Sequence, residues 1–227
     1  MRIHPVICAI ALLLLTSVVA VNAAVLSYTQ TIPLAPTDWN TTISIPKFNS
    51  SLGTLTSIEF ILAGHAEGTA AFENRNGPGT VTMDLGATLQ LERPDSTILV
   101  IAVPLVHTSD AVPTFDGVID FGGTSGKTYS GLGADITESK TSTPPSSDLA
   151  LFTGFGNIIL PVVATGNSTG SGSGNLVTQF SSQASAQATV KYHYDAVPEP
   201  SGLLTLLSGL TVVGGTLTRL RRKRVMS

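Results

Sequence analysis

The segment ASAQATVKYHYD, from Ala184 to Asp195, constrains the fold of this chain more than any other. Apolar or aromatic residues at positions 184, 186, 188, 190, 192 and 194 alternate with polar residues at the positions between them. Because the side chains of a β-strand point to opposite faces in turn, this period of two predicts a strand with one buried face and one hydrated face. Such a strand belongs in an antiparallel sheet whose apolar face is covered by a second layer.

Other segments of the chain show the same alternation. TLTSIEFILAG and TVTMDLGATLQLE each place every second residue on an apolar face, and these residues are Ile58, Phe60, Leu62, Val81, Met83 and Leu85. The β-branched runs in WNTTISIPKF, TILVIAVPLV and LALFTGFGNIILPVVATG predict further strands, the last run giving two. Glycine- and proline-rich turns separate the runs, and the stretch 166–175 predicts a mobile hairpin loop. The sequence therefore predicts an all-β domain over residues 24–196, an antiparallel β-sandwich of jelly-roll-like type.

The first 23 residues have the pattern of a secretory signal peptide. Arg2 precedes an apolar stretch, and Val21-Asn22-Ala23 offers the compact residues that signal peptidase reads. We therefore expect cleavage between Ala23 and Ala24. Cys8 would leave with the signal peptide, so disulfide and thiol chemistry would be absent from the mature chain. A retained membrane anchor is the alternative.

A second membrane signal lies at the C-terminus. Residues 201–218 carry no charge, and as a helix they would extend roughly 27 Å, close to the hydrocarbon thickness of a bilayer. A buried core helix would need a polar face, which this segment lacks. A basic tail over residues 219–224 follows, with Arg219, Arg221, Arg222, Lys223 and Arg224. Because basic residues favour the cytoplasmic side, we expect a transmembrane helix with the body outside and the tail inside.

Val197, Pro198, Glu199 and Pro200 stand immediately before this apolar run. Proline fixes φ, removes a backbone donor and disfavours helix in the residue before it. The stretch is therefore predicted to stay extended just outside the membrane. Such a peptide suits recognition by a membrane-embedded protease, and it equally suits a stiff juxtamembrane spacer.

Residues 197–224 resemble the PEP-CTERM sorting signal of Gram-negative bacteria. The order of the Pro-Glu-Pro motif, the apolar run and the basic tail matches that signal. The resemblance implies processing by an exosortase-like enzyme at the inner membrane, followed by a location at the cell surface or outside the cell. It also implies association with exopolysaccharide or biofilm matrix.

The body resembles the choice-of-anchor E domain, a bacterial extracellular module with interchangeable C-terminal anchors. The segments that carry this resemblance are FNSSLGTLTSIEFILAG, FTGFGNIILPVVATG and ATVKYHYD. The family offers no established catalytic activity for transfer to this chain. The resemblance therefore implies a non-enzymatic surface module.

Charge excludes one class of partner. Residues 24–200 contain fifteen acidic and six basic residues, so their formal charge is 6 − 15 = −9. An acidic body repels phosphate backbones, and we expect no nucleic-acid partner. The basic residues of the tail are explained by membrane topology.

Candidate metal sites in the body are weak. Asp116 and Asp120 lie four residues apart in FDGVIDFGGTSG, which on a strand would put both carboxylates on one face and offer oxygen ligands to calcium. Ordinary turn chemistry explains the same residues, so we expect no obligatory cofactor. His65, at a predicted strand end, His107 and His193 have no zinc-ligand spacing.

Three functions fit these features. The first is an exported, non-enzymatic matrix component, as the terminal signals and the absence of a catalytic motif indicate. The second is a jelly-roll carbohydrate-binding module in which aromatic side chains stack on sugars, the candidates being Tyr28, Trp39, Tyr129, Tyr192 and Tyr194. The third is a secreted glycan hydrolase that uses paired carboxylates such as Asp116 and Asp120.

Overall fold

The computed structural model describes residues 23–172 and 174–197. Ten strands lie in these ranges: β1 (Ala23–Pro36), β2 (Trp39–Pro46), β3 (Gly53–Asn74), β4 (Gly79–Glu92), β5 (Ile98–Ala102), β6 (Leu105–Val112), β7 (Gly126–Ser142), β8 (Asn157–Gly166), β9 (Thr169–Ser171) and β10 (Leu176–Ala196). A short 3-10 helix covers Ser50–Leu52, and the helix α1 covers Ser147–Leu151. Neither helix has the length or apolar character that crossing a bilayer requires. The predicted transmembrane helix, 201–218, and residues 1–22 of the predicted signal peptide lie outside the described residues.

The strands form two sheets. The four-stranded sheet has the order β1-β10-β3-β7, and the six-stranded sheet has the order β2-β8-β4-β5, with β6 and β9 also paired to β4. The pairs β2–β8 and β3–β7 and every pair that involves β4 are antiparallel. Buried residues of both sheets belong to a common hydrophobic cluster. The prediction of an antiparallel β-sandwich is therefore confirmed.

Strand β4 has broken strands on both sides. Its first half pairs with β6 and β9, and its second half pairs with β5 and β8. The breaks fall at Val103-Pro104, between β5 and β6, and at Asn167-Ser168, between β8 and β9. Proline lacks the N–H group that a sheet ladder needs, which explains the first break. Strands β5 and β6 thus follow β4 as one interrupted strand, and β8 and β9 do so as another.

The larger hydrophobic cluster, here called the main core, lies between the two sheets. Ile58, Phe60 and Leu62 of β3 are fully buried, as predicted, and every second residue of β10 from Ala184 to Tyr192 is buried. The ring centroids of Phe60 and Phe152 lie 5.1 Å apart in an edge-to-face contact. The hydroxyl of Tyr192 donates a 2.8 Å hydrogen bond to the carbonyl oxygen of Pro46. The polar end of this buried aromatic residue is therefore satisfied.

A smaller cluster, here called the second core, occupies the part of the sandwich beyond a register shift between Gly68 and Ala70. Its buried members are Ala70, Phe72, Val81, Met83, Leu85 and Val112. Val81, Met83 and Leu85, predicted to share an apolar face, belong to this cluster. At Gly68 an added Cβ would lie 2.0 Å from the carbonyl oxygen of Ser181 on β10, so the backbones approach too closely for any other residue.

The structure corrects three local predictions. LALF was predicted to begin a strand, but Ser147–Leu151 forms α1, and Phe152 caps its C-terminus. The hydroxyl of Ser146 caps α1 by accepting a hydrogen bond from the N–H of Asp148, and the buried Asp148 carboxylate lies 3.2 Å from the guanidinium of Arg93. The predicted loop 166–175 contains β9. His65 lies within β3 and not at a strand end.

The described residues divide into two compact units. Residues 25–50 and 55–194 form the larger one, which contains both cores. In the smaller unit the structure describes residues 23–24, 51–54 and 195–197. There the N–H of Val197 donates to the carbonyl oxygen of Leu52 at 3.0 Å, and Gly53 has a φ of 152° close to the backbone of Asp195.

Candidate functional site

A groove of about 420 Å³ crosses the outer face of the four-stranded sheet. Each strand contributes one or more side chains, including Thr31 from β1, Gln187 from β10, His65 from β3 and Asp135 from β7. These residues alternate along their strands with residues that face the main core, which is why they point outward. We refer to this feature as the outer groove.

The groove exists because its central side chains are small. Ala63 and Thr137 lie directly opposite each other on β3 and β7, and Ser185 lines the groove from β10. Small side chains leave the surface of the sheet open, while larger ones border it. Four strands spaced by about 4.8 Å give a groove about 14 Å long across the strand direction. That shape suits an extended ligand lying across the strands.

His65 makes two contacts with carboxylates at one end of the groove. Its Nδ1 lies 2.8 Å from Oδ1 of Asp135, the residue directly opposite on β7. Its Nε2 lies 3.1 Å from Oε2 of Glu67, which is two residues further along the same face of β3. The hydrogen bond with Glu67 raises the pKa of His65, and the contact with Asp135 adds to this rise against the opposing effect of burial.

Hydroxyl and amide groups occupy the other end of the groove. The amide of Gln187 donates to Oγ1 of Thr31 at 3.4 Å, which links β10 to β1. On the same outer face the hydroxyls of Thr29 and Thr189 lie 2.9 Å apart. The groove therefore offers hydrogen-bonding groups of several kinds on rigid strands.

The predicted calcium residues have a different environment from the expected one. Asp116 and Asp120 lie in the 113–125 loop between β6 and β7, and not on a strand that would align their carboxylates. Oδ1 of Asp116 accepts the N–H of Val118 at 3.0 Å, which lowers the pKa of Asp116, and Oδ1 of Asp120 accepts the N–H of Gly122 at 2.9 Å. Both carboxylates thus stabilise local turns. Nowhere in residues 23–172 and 174–197 do three His, Cys, Asp or Glu side chains converge to hold a metal ion.

Sequence reasoning missed the residue that orders this loop. Glu73, at the end of β3, is fully buried. Its Oε1 accepts the hydroxyl of Ser125 at 2.6 Å, and its Oε2 accepts the N–H of Phe121 at 3.0 Å. The partners are about fifty residues away in sequence, so no local pattern identifies them.

The three histidines among the described residues each have a carboxylate neighbour and do not share one. Nδ1 of His107 lies 2.6 Å from Asp84, and Nε2 of His193 lies 3.8 Å from Glu59, which also accepts from Lys191. These pairs lie at separate places on the sheets.

The aromatic residues predicted to stack on sugars serve the cores instead. Tyr192 is fully buried, and Tyr28 packs against it with ring centroids 6.0 Å apart. The indole N–H of Trp39 donates to the carbonyl oxygen of Ala184, Tyr194 packs on Phe48 of the main core, and Tyr129 packs on Phe72 of the second core. Tyr192 is therefore not accessible for stacking on a sugar, and the other four residues are partly buried against the cores. Phe155 is 89% exposed, between Gly154 and Gly156, which both have positive φ.

The predicted sorting residues fall at the limits of the described chain. Ala23 and Ala24, which flank the predicted cleavage point, begin β1, and Val197 follows the end of β10. Pro198, Glu199, Pro200 and the basic tail lie outside the described residues. The sorting hypothesis remains a prediction from sequence.

Comparison with known proteins finds no matching family model and no matching curated protein. Among solved structures, particles derived from infectious bursal virus match at 16% identity and a TM-score of 0.23, covering 77% of this chain and 36% of that chain. The VP2 subviral particle of infectious bursal disease virus matches at 14% identity and a TM-score of 0.22, covering 78% of this chain and 37% of that chain. A maize chlorotic mottle virus structure matches at 12% identity and a TM-score of 0.18, covering 77% of this chain and 97% of that chain. The chain thus spans little more than a third of the first two proteins, and scores this low carry no argument about function.

Proposed function

We propose that the sandwich is a jelly roll. If β5 with β6, and β8 with β9, are counted as single broken strands, each sheet has four strands. The sheet orders are then β1-β10-β3-β7 and β2-β8-β4-β5, and consecutive strands alternate between the sheets except for β4 and β5, which pair within one sheet. An eight-stranded double sheet made of two Greek keys has this arrangement.

We infer that the chain is an exported, non-enzymatic component of the cell surface or extracellular matrix, and that it binds exopolysaccharide in the outer groove. The observation that carries this proposal is the groove itself, which crosses four strands and is lined by hydroxyl, amide, imidazole and carboxylate groups. A polysaccharide presents repeated hydroxyl groups along an extended chain. The groove also has apolar lining residues such as Pro33, Leu34 and Ile136, and its polar groups offer hydrogen-bonding partners for that chemistry.

The position of these groups on strands strengthens the proposal. Side chains on a sheet are held more precisely than side chains on loops, so less conformational entropy is lost when a ligand binds. His65 and Asp135 face each other across two paired strands, and Gln187 is already bonded to Thr31. Groups fixed in this way form a binding surface before the ligand arrives.

The proposed route to the matrix uses the terminal signals. Signal peptidase would cut between Ala23 and Ala24, and an exosortase-like enzyme would process the chain near Pro198-Glu199-Pro200 at the inner membrane. Mass spectrometry of the mature C-terminus, from native cells with and without that enzyme, tests this route. A chain that still ends at Ser227 in both strains would exclude processing and leave simple anchoring.

The groove is tested by filling it. We expect the full-length protein, purified in mild detergent, to bind one or more polysaccharides on a glycan array. Ala63→Trp should abolish that binding, because a bulky ring would occupy the groove, whereas Thr42→Trp on the exposed face of β2 should not. If Ala63→Trp binds as well as the unchanged protein, the groove is not the site. Turnover of a bound polysaccharide would favour the hydrolase alternative.

A further inference from the structure

We propose that the outer groove selects polysaccharides that carry free, protonated amino groups and rejects acidic ones. This inference rests on the proposed function and names the ligand class of the same groove.

Negative charge dominates the groove. The lining residues include Asp135 and contain neither lysine nor arginine, and Glu67 contacts the lining residue His65. Lys191, on the same outer face, is paired with Glu59 at 3.1 Å. A uronate or sulfate group entering the groove would therefore meet two carboxylates, whose charge the single imidazole of His65 compensates only in part even when it is protonated. Like charges at close range oppose binding.

The carboxylates keep acceptor capacity for a ligand. Asp135 contacts His65 through Oδ1, and its side chain is 83% exposed. Glu67 contacts His65 through Oε2, and its side chain is 47% exposed. Each ionised carboxylate has about four acceptor positions on two oxygens, so a single contact with the imidazole leaves most of them for a second donor.

A protonated amino sugar supplies the matching donor. Its ammonium group carries three N–H donors and a positive charge, and hydrogen bonds between charged partners are roughly twice as strong as neutral ones. An N-acetylated sugar keeps the same ring and hydroxyls but offers a neutral amide. The difference in affinity between the two ligands therefore measures the contribution of the carboxylates. Hydroxyl contacts along the groove are common to both ligands.

Three hexasaccharides test the inference on the full-length protein by titration calorimetry at pH 6: (1→4)-linked glucosamine, its fully N-acetylated counterpart, and galacturonate. We expect the glucosamine hexamer to bind about tenfold more tightly than the acetylated one, and the galacturonate hexamer not to bind. Asp135→Asn should weaken glucosamine binding about tenfold and leave the acetylated ligand unchanged. Asp95→Asn, an exposed carboxylate between β4 and β5, is the matched control and should change neither.

The possible results separate the two proposals. Equal binding of the glucosamine and acetylated hexamers, unaffected by Asp135→Asn, overturns the selectivity and leaves glycan binding intact. Preference for galacturonate also overturns the selectivity alone. Equal weakening by Asp135→Asn and Asp95→Asn would show that the acidic body attracts cationic sugars without a site. If none of the three hexamers binds and the glycan array is also empty, both proposals fail.

Discussion

The main core and the second core lie between the same two sheets but depend on different interactions. In the main core, aromatic side chains pack on one another, with Phe60 and Phe152 at 5.1 Å and Phe48 and Tyr194 also at 5.1 Å. The second core has fewer buried residues in the described chain, and Phe72 meets Tyr129 at a longer centroid distance of 6.3 Å. Packing therefore stabilises the main core more strongly than the second.

Hydrogen bonds compensate at the second core. Glu73 and Asn74 are buried beside Phe72 at the end of β3. Glu73 accepts from Ser125 and Phe121, and the amide of Asn74 donates to the carbonyl oxygens of Gly77 and Pro113. A buried carboxylate is costly unless it is satisfied in this way. The comparison indicates that polar contacts hold the loops beside the second core, while aromatic packing contributes most to the main core.

The largest predicted effect is on the free energy of unfolding, when a phenylalanine in each core is replaced by alanine. Phe152→Ala should lower the free energy of unfolding by about 4 kcal/mol, because it leaves a cavity among aromatic neighbours. Phe72→Ala should cost about 3 kcal/mol, since the smaller cluster around it can relax. Urea unfolding followed by circular dichroism measures both values. If Phe72→Ala costs more than Phe152→Ala, the ranking of the two cores is wrong.

The next effect tests the polar contacts of the second core. Glu73→Ala leaves the hydroxyl of Ser125 and the N–H of Phe121 without their acceptor, which should cost about 2 kcal/mol. Hydrogen exchange at the amide of Phe121 should accelerate at the same time. Glu138→Ala, on the exposed part of β7, is the matched control and should have little effect. Unchanged exchange at Phe121 in Glu73→Ala would show that other contacts order the loop.

The strands were predictable where one face is buried and the other hydrated. The alternation around Phe60 on β3, Met83 on β4 and Val190 on β10 is a local signal, and each of these residues is buried. The apolar run LALF was ambiguous, because a short run cannot distinguish a strand from a helix. The N-cap hydroxyl of Ser146 and the distant Arg93 decide in favour of α1.

The candidate site could not be predicted because it depends on strand register. His65 and Asp135 are 70 residues apart, and only the pairing of β3 with β7 places them together. A shift of one residue would turn one of the two side chains toward the core. The groove likewise requires small residues on several strands at one level. In contrast, the aromatic candidates for sugar stacking are buried, as is Tyr192, or partly buried against the cores, because their apolar area stabilises the cores.

The smallest predicted effect concerns His65, which lies on the outer face and outside both cores. Its folded-state pKa is raised above the ordinary value of 6.5, so its ion pairs with Glu67 and Asp135 stabilise the fold fully below pH 6.5. That stabilisation is lost as the pH rises through the raised pKa. His65→Gln should therefore cost a few tenths of a kcal/mol at pH 5.5 and almost nothing at pH 8.5, because these contacts are partly exposed. Urea unfolding at both pH values measures the difference, and a cost that grew with pH would contradict the role of the two carboxylates.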